Sequence, residues 1–402
     1  MVSPELVRQA AARLHGRVIH TPLTYSPSFS RMTGAEVFLK LENLQKTGSF
    51  KVRGAANAIL AQSAEIGPGG VVTASAGNHA QGVALAAREA GIPATIVMPR
   101  DASLSKQEAT RGYGATLLLQ GETLAESLLI AGEMAEEKDL FFIHPYDDPH
   151  VIAGQGTVGL EVLEDCPNPD IIFVPVGGGG LAAGLAVAVR DQRPDLRIVG
   201  VQAAACPSAC EACRAGARVS IDPGHSIADG ITVRQVGAAT FPTIRDLVDE
   251  IVLVTEDQIA AAIVLLLERK KILAEGAGAV TLAALLSGAV RAPAGSRVVL
   301  VVSGGNLDPL ILDRVLRRQF LAMGRIMRFS VCLPDEPGAL VALLSLLRDI
   351  RANILAIDHV RHGPGIPLFS SRVDIEMETR GHEHIAAIRA DLAGAGYAIR
   401  VR

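Results

Sequence analysis

The segment Ile171–Val176 is an unbroken apolar run that feeds directly into Gly177-Gly178-Gly179-Gly180 and then into a helix-length stretch, Leu181–Asp191. A strand that is apolar at every residue has no face to give to water. It belongs inside a parallel sheet covered by helices on both sides. The same order recurs along the chain. Strands are expected at Glu36–Leu41, Gly70–Ala74, Ala94–Met98, Ala115–Leu119, Ile171–Val176, Arg197–Val201 and Arg297–Val302. Helices are expected at Ala80–Glu89, Leu181–Asp191 and Glu256–Lys271, among others. This alternation predicts an α/β fold built on parallel sheets, whose ligands sit beyond the carboxyl ends of the strands.

The pattern changes after about Met323. Met327, Phe329, Val331 and Leu333 alternate with Arg328, Ser330 and Cys332, which describes a strand with one buried face. Leu340, Leu343, Leu344 and Leu347 then trace one helical stripe, and Val373, Ile375 and Met377 another one-sided strand. With Asn353–Val360 as a strand, Ile385–Leu392 as a helix and Tyr397–Val401 as the last strand, the order is β-α-β-β-α-β, the ferredoxin-like plan. The expected domains are therefore 1–323, of α/β type, and 327–402, of α+β type with an antiparallel sheet.

A chain of 402 residues exceeds what one hydrophobic core usually serves, in keeping with two domains. The formal charge of −4 and the absence of a basic run give no case for nucleic acid. No apolar stretch is long enough to span a bilayer and Met1–His15 has no signal core, so the expectation is a cytoplasmic protein. Cys206, Cys210 and Cys213 are spaced C-x3-C-x2-C, which could hold an iron–sulfur cluster but lacks a fourth cysteine nearby; ordinary reduced thiols are the other reading.

Four loops carry the chemistry. In Gln45–Lys51, Ser49 is a good N-cap, which puts Lys51 in the first helical turn. The helix dipole opposes a cation there and favours a neutral or conjugated amine, the state a Schiff-base lysine needs; a solvated surface lysine is the bland alternative. Ser75-Ala76-Gly77-Asn78-His79 follows a strand and opens a helix, exposing amides suited to a carboxylate or phosphate. Asn78 could equally be only a cap, and His79 only a core histidine. Gly177–Gly180 with Leu181 lets the backbone wrap an anion. Its G-x-G-x-x-A pattern also raises a dinucleotide site, but the next strand ends at Gln202 rather than at the acid a ribose requires, so a single phosphate fits better. Last, Ser303-Gly304-Gly305-Asn306 follows the strand Arg297–Val302 and offers a hydroxyl at a strand's carboxyl end.

The strings K-L-E-N-L-Q-K-T-G-S-F-K-V-R-G-A-A-N-A-I, A-S-A-G-N-H-A-Q-G-V-A, V-P-V-G-G-G-G-L-A-A-G and V-S-G-G-N-L-D resemble those of threonine dehydratases, of the fold type II pyridoxal-phosphate family. The likeness runs from about Thr21 to Asp308, and the last domain resembles an ACT regulatory domain with D-E-P-G-A-L (Asp335–Leu340) at its first loop. The resemblance implies a tryptophan-synthase-β-like fold of two parallel-sheet subdomains. It implies pyridoxal 5′-phosphate as a Schiff base on Lys51, flanked by Phe50, with Asn78 on the 3′ oxygen and Ser303 on the pyridine nitrogen. By the same resemblance Gly177, Gly178, Gly179, Gly180 and Leu181 hold the phosphate, Glu275 helps orient the ring, and Ser75, Ala76, Gly77, Asn78 and His79 grip the substrate carboxylate.

The implied reaction converts L-threonine to 2-oxobutanoate and ammonia, and L-serine to pyruvate, with Lys51 taking the α-proton as general base. A serine at the ring nitrogen leaves that nitrogen neutral, which favours loss of the β-hydroxyl over a long-lived carbanion. Serine racemases carry a serine where this chain has Ala76 and an acidic metal ligand where it has Gln202, so dehydration is expected over racemisation, with no metal. A serine dehydratase or racemase and a catalytically idle amino-acid sensor are the alternatives. The ACT likeness implies an amino-acid effector near Asp335 and Gly338, or a dimerisation module without ligand, in a homodimer or homotetramer. Isoleucine biosynthesis and threonine catabolism both remain open roles.

Overall fold

A computed structural model describes residues 2–401. The chain divides after Asp308 into two compact units. The helix Pro309–Ala322 is thus counted with the C-terminal unit, whereas the sequence boundary at 323 places it with the N-terminal one.

The N-terminal unit holds two sheets. Its strands are β1 (Leu23–Tyr25), β2 (Glu36–Leu41), β3 (Val71–Ala74), β4 (Ala94–Met98), β5 (Thr116–Leu119), β6 (Phe141–Phe142), β7 (Ile171–Pro175), β8 (Arg197–Ala203), β9 (Glu250–Val254) and β10 (Arg297–Val302). The larger sheet has the order β1-β2-β10-β7-β8-β9 and the smaller β5-β4-β3-β6; every pairing is parallel except β1 with β2. The fully apolar β7 lies inside the larger sheet, between β10 and β8, and all five of its residues are buried. In the smaller sheet, Val71 and Ile96 pack on one face against Ala55, Ile59, Ala80 and Val83, while Val72 and Val97 pack on the other against Ala131. That two-sided burial is why these strands read as continuous apolar runs.

The strands β1, β6 and β9 were not expected. The first two are too short to establish a period. β9 was readable as the run Ile251–Val254, but it is an edge strand and mostly half-buried. Gly70 falls outside β3 because its φ of 81° is left-handed. The expected helix Glu256–Lys271 is α-helical only to Leu265, continues as a π turn over Leu266–Lys270, and stops where Lys271 turns left-handed at φ 61°.

Three helices set the geometry of the site: Lys51–Ala61, Pro149–Asp165 and Gly180–Gln192. They touch backbone to backbone. A side chain on Gly154 would strike Gly54 Cα, and one on Gly184 would strike the Ile152 carbonyl. Close helix contact of this kind fixes where the helix N-termini lie relative to each other.

The C-terminal unit contains β11 (Ile326–Pro334), β12 (Asn353–Val360), β13 (Ser370–Glu378) and β14 (Ile399–Val401), with helices Ala339–Asp349 and His382–Gly394. Its sheet order is β12-β13-β11-β14 and wholly antiparallel, so the β-α-β-β-α-β plan is as read from the sequence. Met327, Phe329, Val331, Val373 and Ile375 bury one face against Leu343, Leu347, Ile388 and Leu392.

Candidate active site

Lys51 reaches its place through the loop before it. Gly48 to Phe50 pairs with Ser303 to Gly305: Phe50 N–H donates to the Ser303 carbonyl at 3.1 Å, Gly305 N–H to the Gly48 carbonyl at 2.8 Å, and Ser49 bridges Gly304. The helix then starts at Lys51 itself. Ser49 is not its cap, since Phe50 holds that position without a side-chain bond and the buried Ser49 Oγ has no partner. The pairing with Ser303–Gly305 takes the backbone conformation that a capping serine would need.

A cavity of about 240 Å³ opens at the carboxyl ends of β3 and β7. It is lined by Phe50 and Lys51, by Ser75, Ala76, Gly77, Asn78 and His79, by Gly177 to Leu181, and by Glu275 and Ser303. The structure thus gathers into one space every residue named above for the cofactor and the substrate carboxylate.

Burial pushes the Lys51 amine down to about 8, against the opposing pull of the Glu275 carboxylate. Its Nζ donates to the Pro145 carbonyl at 2.8 Å and lies 5.3 Å from the centre of the Phe50 ring. Burial, and next the nearby Asp229, raise Glu275 to about 7. The Asn78 amide donates to Glu275 Oε1 at 2.6 Å and accepts from Asn306 Nδ2 at 2.7 Å. His79 is held neutral, its value lowered to about 3 by burial and by Lys51, with Nε2 bonded to the Ile143 carbonyl at 3.2 Å. It brings no positive charge to a substrate carboxylate; what this loop offers is the N-terminus of the helix Asn78–Ala90.

The glycine turn is backed by side chains that occupy the space its own lack. Gly178 lies against the Tyr146 ring, and Gly179, at φ 100°, against Thr240 and Ile244. The Gly178 carbonyl accepts from Thr240 Oγ1 at 2.7 Å and from Gly237 N–H at 3.1 Å, and the Gly179 carbonyl from Ala183 N–H at 2.8 Å. With those carbonyls engaged, the turn and the first turn of the helix Gly180–Gln192 present N–H groups to an anion. A phosphate therefore fits at this end, a lysine amine with a lowered proton affinity waits for an aldehyde, and Ser303 Oγ, now donating to the Ala277 carbonyl at 3.2 Å, offers a hydroxyl to a ring nitrogen. The donor set suits pyridoxal phosphate.

Sequence reasoning missed several contributors. Asp147 accepts from the Ala238 and Ala239 amides, both at 2.7 Å, and so fixes the segment that carries Thr240. Lys106 pairs with Asp229 at the cavity wall. Beneath the helix Lys51–Ala61, the fully buried Arg53 grips Glu42 through Nε and Nη2, both at 2.8 Å, and Glu161 through Nη1 at 2.6 Å. Glu161 also receives Lys40 Nζ at 2.6 Å. These pairs join residues far apart in the chain, so no local pattern announces them; only charged residues inside otherwise apolar segments hint at it.

Other sequence expectations resolve individually. Gln202 Oε1 accepts from the Ala209 and Cys210 amides, each at 3.0 Å, so it caps the helix Ser208–Ala215. Burial raises the Cys206, Cys210 and Cys213 thiols, and Cys206 Sγ donates to the Val233 carbonyl, as reduced thiols do. In the C-terminal unit, Asp335 and Gly338 are exposed at the turn from β11 to the helix Ala339–Asp349; Asp335 pairs with Arg361 at 3.1 Å, and Gly338, at φ 93°, is the N-cap. Among the described residues, no helix is long and apolar enough to cross a membrane.

Comparison with known proteins is consistent with this geometry. The family described as "Pyridoxal-phosphate dependent enzyme" matches residues 15–304. An L-threonine ammonia-lyase of Geobacter sulfurreducens is 47% identical over 401 residues, covering 100% of both chains. One from Thermotoga maritima is 44% identical over 401 residues, again covering 100% of each. Among solved structures, that of maize serine racemase superposes with a TM-score of 0.75 at 37% identity, covering 80% of this chain and 98% of that one.

Proposed function

The chain belongs to the pyridoxal-phosphate-dependent enzyme family, and from that premise we propose that it is a threonine ammonia-lyase, a carbon–nitrogen lyase converting L-threonine to 2-oxobutanoate and ammonia. The observation that carries the reading is the single cavity in which the Lys51 amine, the Gly177–Gly180 turn, Asn78 and Ser303 face a common space. Pyridoxal phosphate supplies an electron sink for the charge left when the α-proton departs.

The chain's own residues do the rest. Amides of Gly177 to Leu181 would hold the phosphate, the Asn78 N–H₂ would donate to the ring's 3′ oxygen, Phe50 would flank the ring, and Glu275 would help orient it. Ser303 would give the ring nitrogen a neutral partner. Amides of Ser75 to His79 hold the substrate carboxylate at a helix N-terminus. Lys51 Nζ would take the α-proton; an amine near 8 is neutral often enough at physiological pH to act as a base. Loss of the β-hydroxyl as water, followed by hydrolysis, would give 2-oxobutanoate and ammonia. L-Serine, one methyl smaller, fits the same course to pyruvate.

Serine racemisation is the second reading, favoured by the 37% identity to maize serine racemase. Ala76 speaks against it: a methyl group in the carboxylate loop supplies no proton to the substrate. Assay of purified, cofactor-loaded protein separates the two. Dehydration predicts 2-oxobutanoate from L-threonine, whereas D-serine from L-serine without keto acid would overturn it.

We read the C-terminal unit as an ACT-type module that binds an amino-acid effector at the Asp335–Gly338 turn, in a cytoplasmic homodimer or homotetramer. Its β-α-β-β-α-β order supports this. If isoleucine, valine and threonine all leave activity and thermal stability unchanged, the module is a ligand-free dimerisation unit.

A further inference from the structure

We propose that Asn306 is a positioning residue that fixes the Asn78 amide with its N–H₂ toward the cofactor cavity, and so makes Asn78 a hydrogen-bond donor there.

Asn306 Nδ2 lies 2.7 Å from the Thr47 carbonyl oxygen, and a carbonyl can only accept. The Asn306 group on that side is therefore its N–H₂. The same nitrogen lies 2.7 Å from the Asn78 side chain, which must then turn its oxygen to it. The Asn78 N–H₂ is left for the other side, where it donates to Glu275 Oε1 at 2.6 Å. Each link leaves the next a single orientation.

Glu275 by itself would not impose that orientation. Raised to about 7, it is protonated in part of the population at neutral pH, and a carboxylic acid can donate to an Asn oxygen as well as accept from its nitrogen. Without Asn306, rotation of the Asn78 amide by half a turn would be compatible with a protonated Glu275. An acceptor would then face the cavity, where the anionic 3′ oxygen of the cofactor needs a donor. Asn306 removes that alternative. The clamp is also well anchored, because Gly48, at φ 71°, has no side chain in the space that the Asn306 amide fills, and Gly305 N–H donates to the Gly48 carbonyl.

This rests on the reading of the site as a pyridoxal-phosphate site, and its test is independent of threonine turnover. Cofactor dissociation constants and visible absorption maxima are measured for the wild type, Asn78→Leu, Asn306→Leu and the double variant. Asn306→Leu should weaken the cofactor roughly 2- to 12-fold, the range of one hydrogen bond, and displace the maximum in the same direction as Asn78→Leu. The double variant should bind no more weakly than Asn78→Leu alone, because Asn306 acts through Asn78. Effects that multiply, or an Asn306→Leu maximum identical to the wild type, would overturn the proposal. Asn306→Asp keeps the shape but presents an acceptor to Asn78, which turns that amide around, so it should weaken the cofactor at least as much as Asn306→Leu does. If neither Asn306 variant loads cofactor while Asn78→Leu does, Asn306 acts by another route and the proposal fails. A colourless wild type would instead contradict the reading of the site itself.

Discussion

Lys51 Nζ donates to the carbonyl oxygen of Pro145 at 2.8 Å, which ties the helix Lys51–Ala61 to the loop that precedes the helix Pro149–Asp165. That loop also carries Tyr146 beneath Gly178 and Asp147 against the amides of Ala238 and Ala239. One loop thus supports both the amine and the Gly177–Gly180 turn.

The state of Lys51 gives the first prediction. With its value lowered to about 8 by burial, the reactive neutral amine rises from roughly a tenth of the population at pH 7 to roughly nine-tenths at pH 9. Capture of pyridoxal phosphate by cofactor-free enzyme, followed by stopped-flow absorbance, should therefore climb with a midpoint near 8. In Glu275→Gln the carboxylate that raises Lys51 is gone, and the midpoint should move to lower pH. A rate still climbing steeply above pH 10 would show an ordinary solvated lysine.

Gly178→Ala would drive a methyl group into the Tyr146 ring. Overpacking of that kind costs about 1–3 kcal/mol, so cofactor affinity should fall roughly 5- to 150-fold if the strain displaces the phosphate turn. Equilibrium titration with pyridoxal phosphate measures this, and a Tyr146→Ala background should soften the loss. An unchanged dissociation constant would mean that the turn does not hold the phosphate.

Arg53→Met leaves Glu42 with no guanidinium partner and Glu161 with Lys40 alone, in a buried setting. Breaking one side of such a network costs about 3–5 kcal/mol, visible in denaturant unfolding of the N-terminal unit. Adding Glu42→Gln should recover part of that loss. A cost under about 1 kcal/mol would mean that the network is as weak as an exposed ion pair.

How much of this was legible before the structure differs by distance along the chain. Gly177–Gly180 and Ser75–His79 announced themselves because each is a strand end, a run of small residues and a helix start in sequence. The Ser49 cap was a sound local inference overridden by pairing with Gly304, a residue far away in the chain. The pairings of Arg53 with Glu42 and Glu161, and of Asn306 with Asn78, could not be read for the same reason: each bond is specified by the crossing of elements, and a sequence shows spacing only along one of them.

Ala76→Ser puts a hydroxyl into the Ser75–His79 loop where the chain has a methyl group. If the lack of a second proton donor is what limits the enzyme to dehydration, this variant should form D-serine from L-serine while keeping keto-acid production, as chiral chromatography would show. D-Serine already formed by the wild type at a comparable rate would count against that reading of Ala76.

The proposed activity depends most on Lys51 as the cofactor's anchor and the base of the reaction. Borohydride reduction of the yellow holoenzyme, followed by peptide mapping, tests it directly. One pyridoxyl-modified peptide should appear, carrying the label on Lys51, with loss of 2-oxobutanoate formation in proportion to labelling. A label on another lysine, or full threonine turnover after Lys51 is modified, would contradict it.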